Sequence, residues 1–183
     1  MVMIRQRDPG AAPAVRASAT HLPFRDEIFD ASLAVLTIHH WPDLGRGLQE
    51  LRRASRRNVV ILTCDPSLTG FWLTDYFPEI LEIDRRIMPP LAELERHLGR
   101  IAVFDVPIPY DCTDGFLGAY WRRPKAYLSA DIRAAISTFA KVRDVEHGLA
   151  VLRRDLASGE WRSRYGHLLH RSTLDLGYRL VVA

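Results

Sequence analysis

Two apolar runs separated by an amphipathic stretch constrain the fold of this chain more than any other feature. The runs "ASLAVLTI" (31–38) and "NVVILT" (58–63) show no polar alternation, which is typical of strands covered on both faces in a parallel sheet. Between them, Asp43 is a favourable N-cap for a helix over residues 44–57, whose leucines recur at helical spacing. The order of strand, helix and strand predicts a right-handed parallel crossover, and therefore an α/β fold.

The rest of the chain supplies further elements of the same kind. Strands are predicted over 14–19, 101–109 and 177–183. A helix is predicted over "LAELERHL", ended by Gly99, and helices again over roughly 131–157. The aromatic-rich segment from Asp65 to Met88 is predicted to be helical in pieces.

Composition and charge exclude several classes of protein. The chain has 183 residues, the length of one domain, and a net charge of only +3, because 25 Lys and Arg are nearly balanced by 22 Asp and Glu. The arginines form no stripe, so no nucleic-acid partner is expected. No apolar run approaches the ~18 residues of a membrane span, and the distant Cys64 and Cys112 suit free thiols in a reducing compartment. We therefore expect a cytoplasmic protein that does not enter a membrane.

The strand predicted at 31–38 runs into the cluster His39-His40-Trp41. Ligands in open α/β sheets bind outside the carboxyl ends of the strands, so these side chains are placed to line a pocket. An imidazole can serve as a general base near neutral pH, and an indole face attracts a cation. The alternative is structural, with one histidine capping the strand and Trp41 packing against the next helix. No metal is expected, because adjacent residues of an extended segment point to opposite sides.

Several different short motifs follow one another between residues 14 and 66. They are Ala17 to Thr20, Leu22-Pro23-Phe24, Phe29-Asp30, His39-His40, the helical stretch Leu48 to Arg52 and the strand Val59 to Thr63. Together they resemble the middle of a class I S-adenosylmethionine-dependent methyltransferase of the ubiquinone-biosynthesis type (methyltransferase type 11). The resemblance implies a Rossmann-like fold with a mostly parallel sheet that ends in one antiparallel strand, and S-adenosylmethionine as cofactor.

The same resemblance implies where the cofactor lies. The residues it assigns to cofactor binding are Ser18, Ala19, Leu36, Thr37 and Trp41, and the catalytic residues are His39 and His40. The glycine-rich loop of the family would precede residue 1, and the triplet Gly45-Arg46-Gly47 falls within a predicted helix instead. The resemblance therefore implies a methyltransferase domain that lacks its first strand-helix-strand unit.

A second polar and aromatic cluster follows the strand predicted at 101–109. By resemblance, Asp114, Tyr120 and Trp121 would contact the methyl acceptor there. The alternative is that "FLGAYW" packs as a helix with Asp114 as its N-cap. We expect a single domain over residues 1–183 with acceptor-side insertions around 66–100 and 110–160.

Two functions are consistent with these observations. The first is methyl transfer from S-adenosylmethionine to a small-molecule acceptor. The second is a non-catalytic remnant of a methyltransferase domain that binds a partner protein. In both cases the strand at 31–38 would carry an unpaired edge, which predicts a homodimer through that edge.

Overall fold

The computed structural model describes residues 7, 8 and 10–183. In this part of the chain the strands are β1 (Phe29–Val35), β2 (Ser55–Cys64), β3 (Ala102–Asp105), β4 (Ile108–Pro109), β5 (Thr173–Leu174) and β6 (Tyr178–Val182). Four of them form one sheet in the order β1-β2-β6-β3, and β4 pairs with β5 separately. Strands β1 and β2 are parallel, whereas β6 runs antiparallel to both of its neighbours. The mixed sheet confirms the predicted α/β class and the antiparallel closing strand.

The helices in the described residues are α1 (Leu44–Ala54), α2 (Glu79–Ile87), α3 (Leu91–Leu98), α4 (Ala130–Ala134), α5 (Val145–Ser158) and α6 (Glu160–Tyr165). Short 3₁₀ turns lie at Ile38–His40, Trp72–Asp75, Leu117–Tyr120, Pro124–Leu128, Phe139–Lys141 and Gly166–His170. Of the helices that the structure describes, none is long and apolar enough to cross a membrane.

Local chemistry sets the limits of the β1-α1-β2 crossover. The Asp43 carboxylate accepts a hydrogen bond from the backbone N–H of Arg46 at 2.9 Å, which confirms the predicted N-cap. The helix ends at Ala54, earlier than predicted, and the Ser55 hydroxyl donates to the Leu51 carbonyl at 2.7 Å and lies 2.8 Å from the Ser32 hydroxyl. Ser55 is already extended, so β2 begins there rather than at Asn58.

The strand predicted at 14–19 does not form. Within this segment only Ser18 makes a ladder bridge, to His21 in a tight turn, and residues 14–18 are exposed. None of the described strands runs beside it, so its backbone groups gain no ladder partner by becoming extended. The strand predicted at 101–109 divides into β3 and β4 around Pro107, which has no N–H to donate.

The prediction that β1 is covered on both faces is also wrong. Ala34 packs beneath α1 and is 4% exposed, whereas Leu33 and Val35 on the other face are 64% and 50% exposed. Across the sheet, Val35 aligns with Leu62, Leu180 and Phe104 in turn. The described structure therefore leaves one apolar face of the sheet open.

Two apolar clusters hold the molecule together. The first lies between the covered face of the sheet and helices α1 and α3, and includes Leu48, Ile61, Leu94 and Val181. The second is aromatic and is built from residues between Trp72 and Tyr178, with edge-to-face contacts such as Trp72 to Trp161 at 5.3 Å between ring centroids. Residues of this aromatic cluster also border a cavity at the carboxyl ends of β1 and β2.

Candidate active site

The chain leaves β1 through a turn that aims its next side chains at the end of the sheet. Leu36 has a φ of 45°, a left-handed conformation that is costly for a branched side chain, while its N–H donates to the Leu62 carbonyl at 2.9 Å. The 3₁₀ turn that follows buries Ile38 in the first apolar cluster. This anchoring sets His39 and His40 beside the carboxyl ends of both parallel strands.

A cavity of about 320 Å³ occupies this position. Its walls come from the ends of β1 and β2, helix α2, and the segments 114–118, 135–138 and 176–178. The lining is mainly apolar and includes Leu36, Leu68, Phe71, Ile80, Leu81, Met88, Phe116, Leu117, Ile136 and Leu176. A lining of this kind suits a compact apolar molecule.

The two histidines lie together at the cavity. Their rings are 3.9 Å apart between centroids, so the expectation that they point to opposite sides is wrong, because residues 38–40 form a 3₁₀ turn and not a strand. The Nδ1 atom of His39 is buried and has no hydrogen-bond partner among the described residues. Burial, followed by the charges of His40 and Lys141, lowers the pKa of His39 to about 4. His39 is therefore neutral near pH 7 and has a free ring nitrogen.

Asp84 of α2 is the second group at the cavity with an unused polar atom. Its Oδ1 atom is buried and, within the described part of the chain, accepts no hydrogen bond. Burial raises the pKa of this carboxyl to about 6, and the nearby charge of Lys141 opposes the shift only in part. A carboxylate in this environment is stabilised by any ligand that donates a hydrogen bond to it.

The Cys64 thiol and the Tyr178 phenol, which also line the cavity, are chemically inert. Burial raises the pKa of the Cys64 thiol to about 12, so Cys64 stays protonated and is a poor nucleophile. Burial also raises the pKa of Tyr178, whose hydroxyl accepts a hydrogen bond from the N–H of Gly118 at 3.2 Å. Neither group offers covalent catalysis.

The structure brings together only some of the residues singled out in the sequence. His39, His40, Leu36 and Asp114 line the cavity. Asp114 does not cap a helix, since its carboxylate accepts from the adjacent Gly115 N–H at 2.8 Å and the following turn begins at Leu117. Cofactor-binding roles for Thr37, Ser18 and Ala19, which lie outside the lining, stay predictions.

The three remaining aromatic residues lie elsewhere. Trp41 packs on Gly47 of α1, where an added Cβ would lie 2.3 Å from the indole Cε3 atom. Trp121 is 0% exposed in the aromatic cluster and donates from Nε1 to the Ile108 carbonyl at 3.0 Å. Tyr120 is half-buried beneath the Arg123 guanidinium, 4.8 Å from its ring centroid. We therefore leave Trp41, Tyr120 and Trp121 out of the site.

Asp84 was missed in the sequence, although a signal was present. Helix α2 carries isoleucines at 80, 83 and 87, which mark its apolar stripe, and position 84 falls on the same stripe. An acid on the apolar side of an amphipathic helix faces either a partner or a ligand. Among the described residues no group of three or more potential metal ligands surrounds it.

The lining fits the methyl-bearing end of S-adenosylmethionine. Three carboxyl groups, of Asp65, Asp84 and Asp114, border the cavity, and no Lys or Arg of the described residues does. A positively charged sulfur is stabilised in such surroundings. The cavity does not reach Ser18, whose hydroxyl is 2.8 Å from that of Thr20.

Comparisons with known proteins agree with this geometry. A family model described as a methyltransferase domain matches residues 1–63. A solved structure from Anabaena variabilis, named as a methyltransferase from an antibiotic biosynthesis pathway, is 36% identical with a TM-score of 0.91, over 100% of this chain and 78% of that one. The 2-methyl-6-phytyl-1,4-hydroquinone methyltransferase 2 of rice chloroplasts (Oryza sativa subsp. japonica) is 32% identical over 66 residues, which span 36% of this chain and 19% of the rice protein.

Proposed function

This chain belongs to the class I S-adenosylmethionine-dependent methyltransferases, and from this premise we propose that it methylates a small molecule held in the cavity beside His39. The observation that carries the proposal is the placing of His39 and His40 at a cavity outside the carboxyl ends of two parallel strands. We further propose that it acts in the cytoplasm, where its two unpaired cysteines are stable. In a single domain, the segments 66–100 and 110–160 would form the acceptor side.

The cofactor would be held where β1 ends. The backbone of Leu36 and Thr37 would contact its methionine part, and the loop at Ser18 and Ala19 its adenine. When bound, S-adenosylmethionine supplies an activated methyl group on a positively charged sulfur. The chain itself must then align the acceptor, keep water away and deal with the acceptor's proton.

His39 would orient the acceptor. Being neutral, it can accept a hydrogen bond from a hydroxyl or amine through one ring nitrogen. Its lowered pKa makes it a weak base, so its contribution is to hold the acceptor's polar hydrogen until the methyl group is transferred. The neighbouring His40 is exposed and offers that proton a way to solvent.

The other side chains that line the cavity would keep water and competing nucleophiles away from the methyl group. Phe71, Phe116 and Ile136 exclude water from the reacting atoms. The protonated Cys64 does not compete for the methyl group, since the thiolate and not the thiol is the nucleophile.

Transfer of a radiolabelled methyl group from S-adenosylmethionine tests this function. The acceptors are a small-molecule extract of the source organism and simple hydroquinones, phenols and amines, the first of these because of the rice relative's name. We expect label in one acceptor, and a loss of about tenfold or more in His39→Asn. The exposed His167→Asn, away from the cavity, is the matched control and should keep full activity. Transfer that is unaffected by His39→Asn would contradict the proposed role.

A second candidate function is that of a non-catalytic methyltransferase remnant that binds a partner protein through the open side of the sheet. In the described residues β1 pairs only with β2, and its outward side chains Leu33 and Val35 are exposed. We propose that a second copy of the chain covers this edge as a homodimer, because identical β1 edges can pair with one another. Sedimentation velocity over a range of concentrations should give a dimer that Leu33→Lys dissociates. A monomer at every concentration would exclude it.

A further inference from the structure

We infer that Asp84 selects the acceptor, so that the cavity takes small apolar molecules with a hydrogen-bond-donating head group, a protonated amine best of all, and rejects acids. The inference rests on the proposed function only in treating the cavity as the acceptor site. The atom that Asp84 binds need not be the atom that is methylated.

Asp84 has an unused carboxylate oxygen at the cavity wall. Its buried Oδ1 atom has no hydrogen-bond partner among the described residues, and Asp84 is one of the residues that line the cavity. A buried acceptor without a partner costs free energy, and a donor on a ligand removes that cost. Isoleucines share its helix stripe, so α2 holds the acid in place by packing while leaving its oxygen free.

The charged groups that line the cavity are all acidic apart from the two histidines. Asp65 and Asp114 each accept a local backbone hydrogen bond, from Ser67 at 2.9 Å and from Gly115 at 2.8 Å, whereas Asp84 Oδ1 accepts none. Lys141 influences Asp84 but is exposed and does not border the cavity. With no described Lys or Arg in the lining, an anionic ligand would be repelled and a cation attracted.

The rest of the lining is largely apolar. Phe71, Ile80, Phe116 and Ile136 border the same cavity of about 320 Å³. These side chains suit a compact apolar body, such as one aromatic ring. The ligand that satisfies both parts of the lining has an apolar ring and a donor group on a short arm.

Three probes of similar size and different charge test this directly: phenethylamine, 2-phenylethanol and 3-phenylpropionate. Each is titrated without cofactor at about pH 7.5, above the raised pKa of Asp84 of about 6, and binding is followed by NMR chemical shifts. We expect the amine to bind more tightly than the alcohol, and the acid to show no saturable binding. Asp84→Asn should weaken amine binding about tenfold and change alcohol binding by no more than about threefold.

A matched variant controls for net charge. Asp131→Asn removes a carboxylate from an exposed position of α4 outside the cavity, and should leave the order of the probes unchanged. Equal binding of the three probes, no binding of the amine, or an amine preference that survives Asp84→Asn would each overturn the inference.

The outcome is separable from that of the proposed function. Binding of S-adenosylhomocysteine is measured on the same folded samples. An Asp84-dependent amine preference without that binding would sustain the inference and count against methyl transfer. Binding of S-adenosylhomocysteine without the amine preference would support methyl transfer and overturn the inference about Asp84.

Discussion

Asp84 lies on the apolar stripe of α2, at a position where an isoleucine or a leucine would be expected. Its carboxyl is poorly solvated and Oδ1 is unpartnered within the described structure, so the folded state is less stable with this residue ionised. A position that lowers stability and borders a cavity is typical of a binding site.

Replacing Asp84 by asparagine should therefore stabilise the protein at neutral pH. The pKa of the Asp84 carboxyl is about 6 in the folded chain, against an ordinary value of 3.8. The protonated carboxyl therefore contributes its full stabilisation of the folded state below pH 3.8, and this contribution is lost as the pH rises through about 6. Asn carries no charge, and the free energy of unfolding should rise by about 1–2 kcal/mol at about pH 7.5 and by little at about pH 4. Thermal unfolding of both proteins at the two pH values measures this. A gain of equal size at both values would contradict the assigned cause.

Single residues were predictable from the sequence where a local pattern marked them. His39 and His40 followed an apolar run directly, and both border the cavity. Trp121 carried an equally visible aromatic signal but packs wholly in the core, since its neighbours come from segments far away in the chain. Burial of this kind depends on tertiary contacts that no local pattern contains.

At the scale of elements, a close contact between Trp41 and Gly47 helps to hold the crossover helix against the turn that leaves β1. The Trp41 ring lies over Gly47 of α1, and an added Cβ at Gly47 would come within 2.3 Å of Cε3 and 2.7 Å of Cζ3. No larger residue fits while the indole keeps its place.

Gly47→Ala should therefore destabilise the protein by about 1–3 kcal/mol, because overpacking outweighs the gain of about 1 kcal/mol in helix propensity. Chemical denaturation measures the change. Trp41→Ala removes the ring, so Gly47→Ala made in that background should be neutral or stabilising. The exposed Gln49→Ala on the same helix controls for propensity alone. A destabilisation that persists in the Trp41→Ala background would refute the contact.

Element boundaries were predictable where a cap or breaker defines them. Asp43 begins α1 and Gly99, with a φ of 79°, ends α3 as expected. The apolar run of β1 predicted a strand but not its exposure, because periodicity records side-chain character and not whether a neighbouring layer is present. Residues 14–19 do not form the predicted strand for a related reason. A strand needs a neighbouring strand to pair with, and the sequence of one segment does not show whether that neighbour is present.

The candidate site is a property of the whole molecule. Its walls come from segments that are far apart in the chain and contain Leu36, Asp84, Phe116 and Ile136. The aromatic cluster holds these segments together. The family pattern between residues 14 and 66 predicted the β1-α1-β2 crossover and the position of the histidines directly after β1. It contains no information on the acceptor side, whose residues lie after it and follow no common pattern.

Calorimetric titration with S-adenosylhomocysteine tests the central claim most directly, because every step of the proposal requires the cofactor to bind at the end of β1. We expect micromolar binding with one site per chain, reduced when Leu36 is replaced by a residue that disfavours its left-handed backbone, such as valine. A folded sample that gives no heat on titration would contradict methyl transfer by this chain.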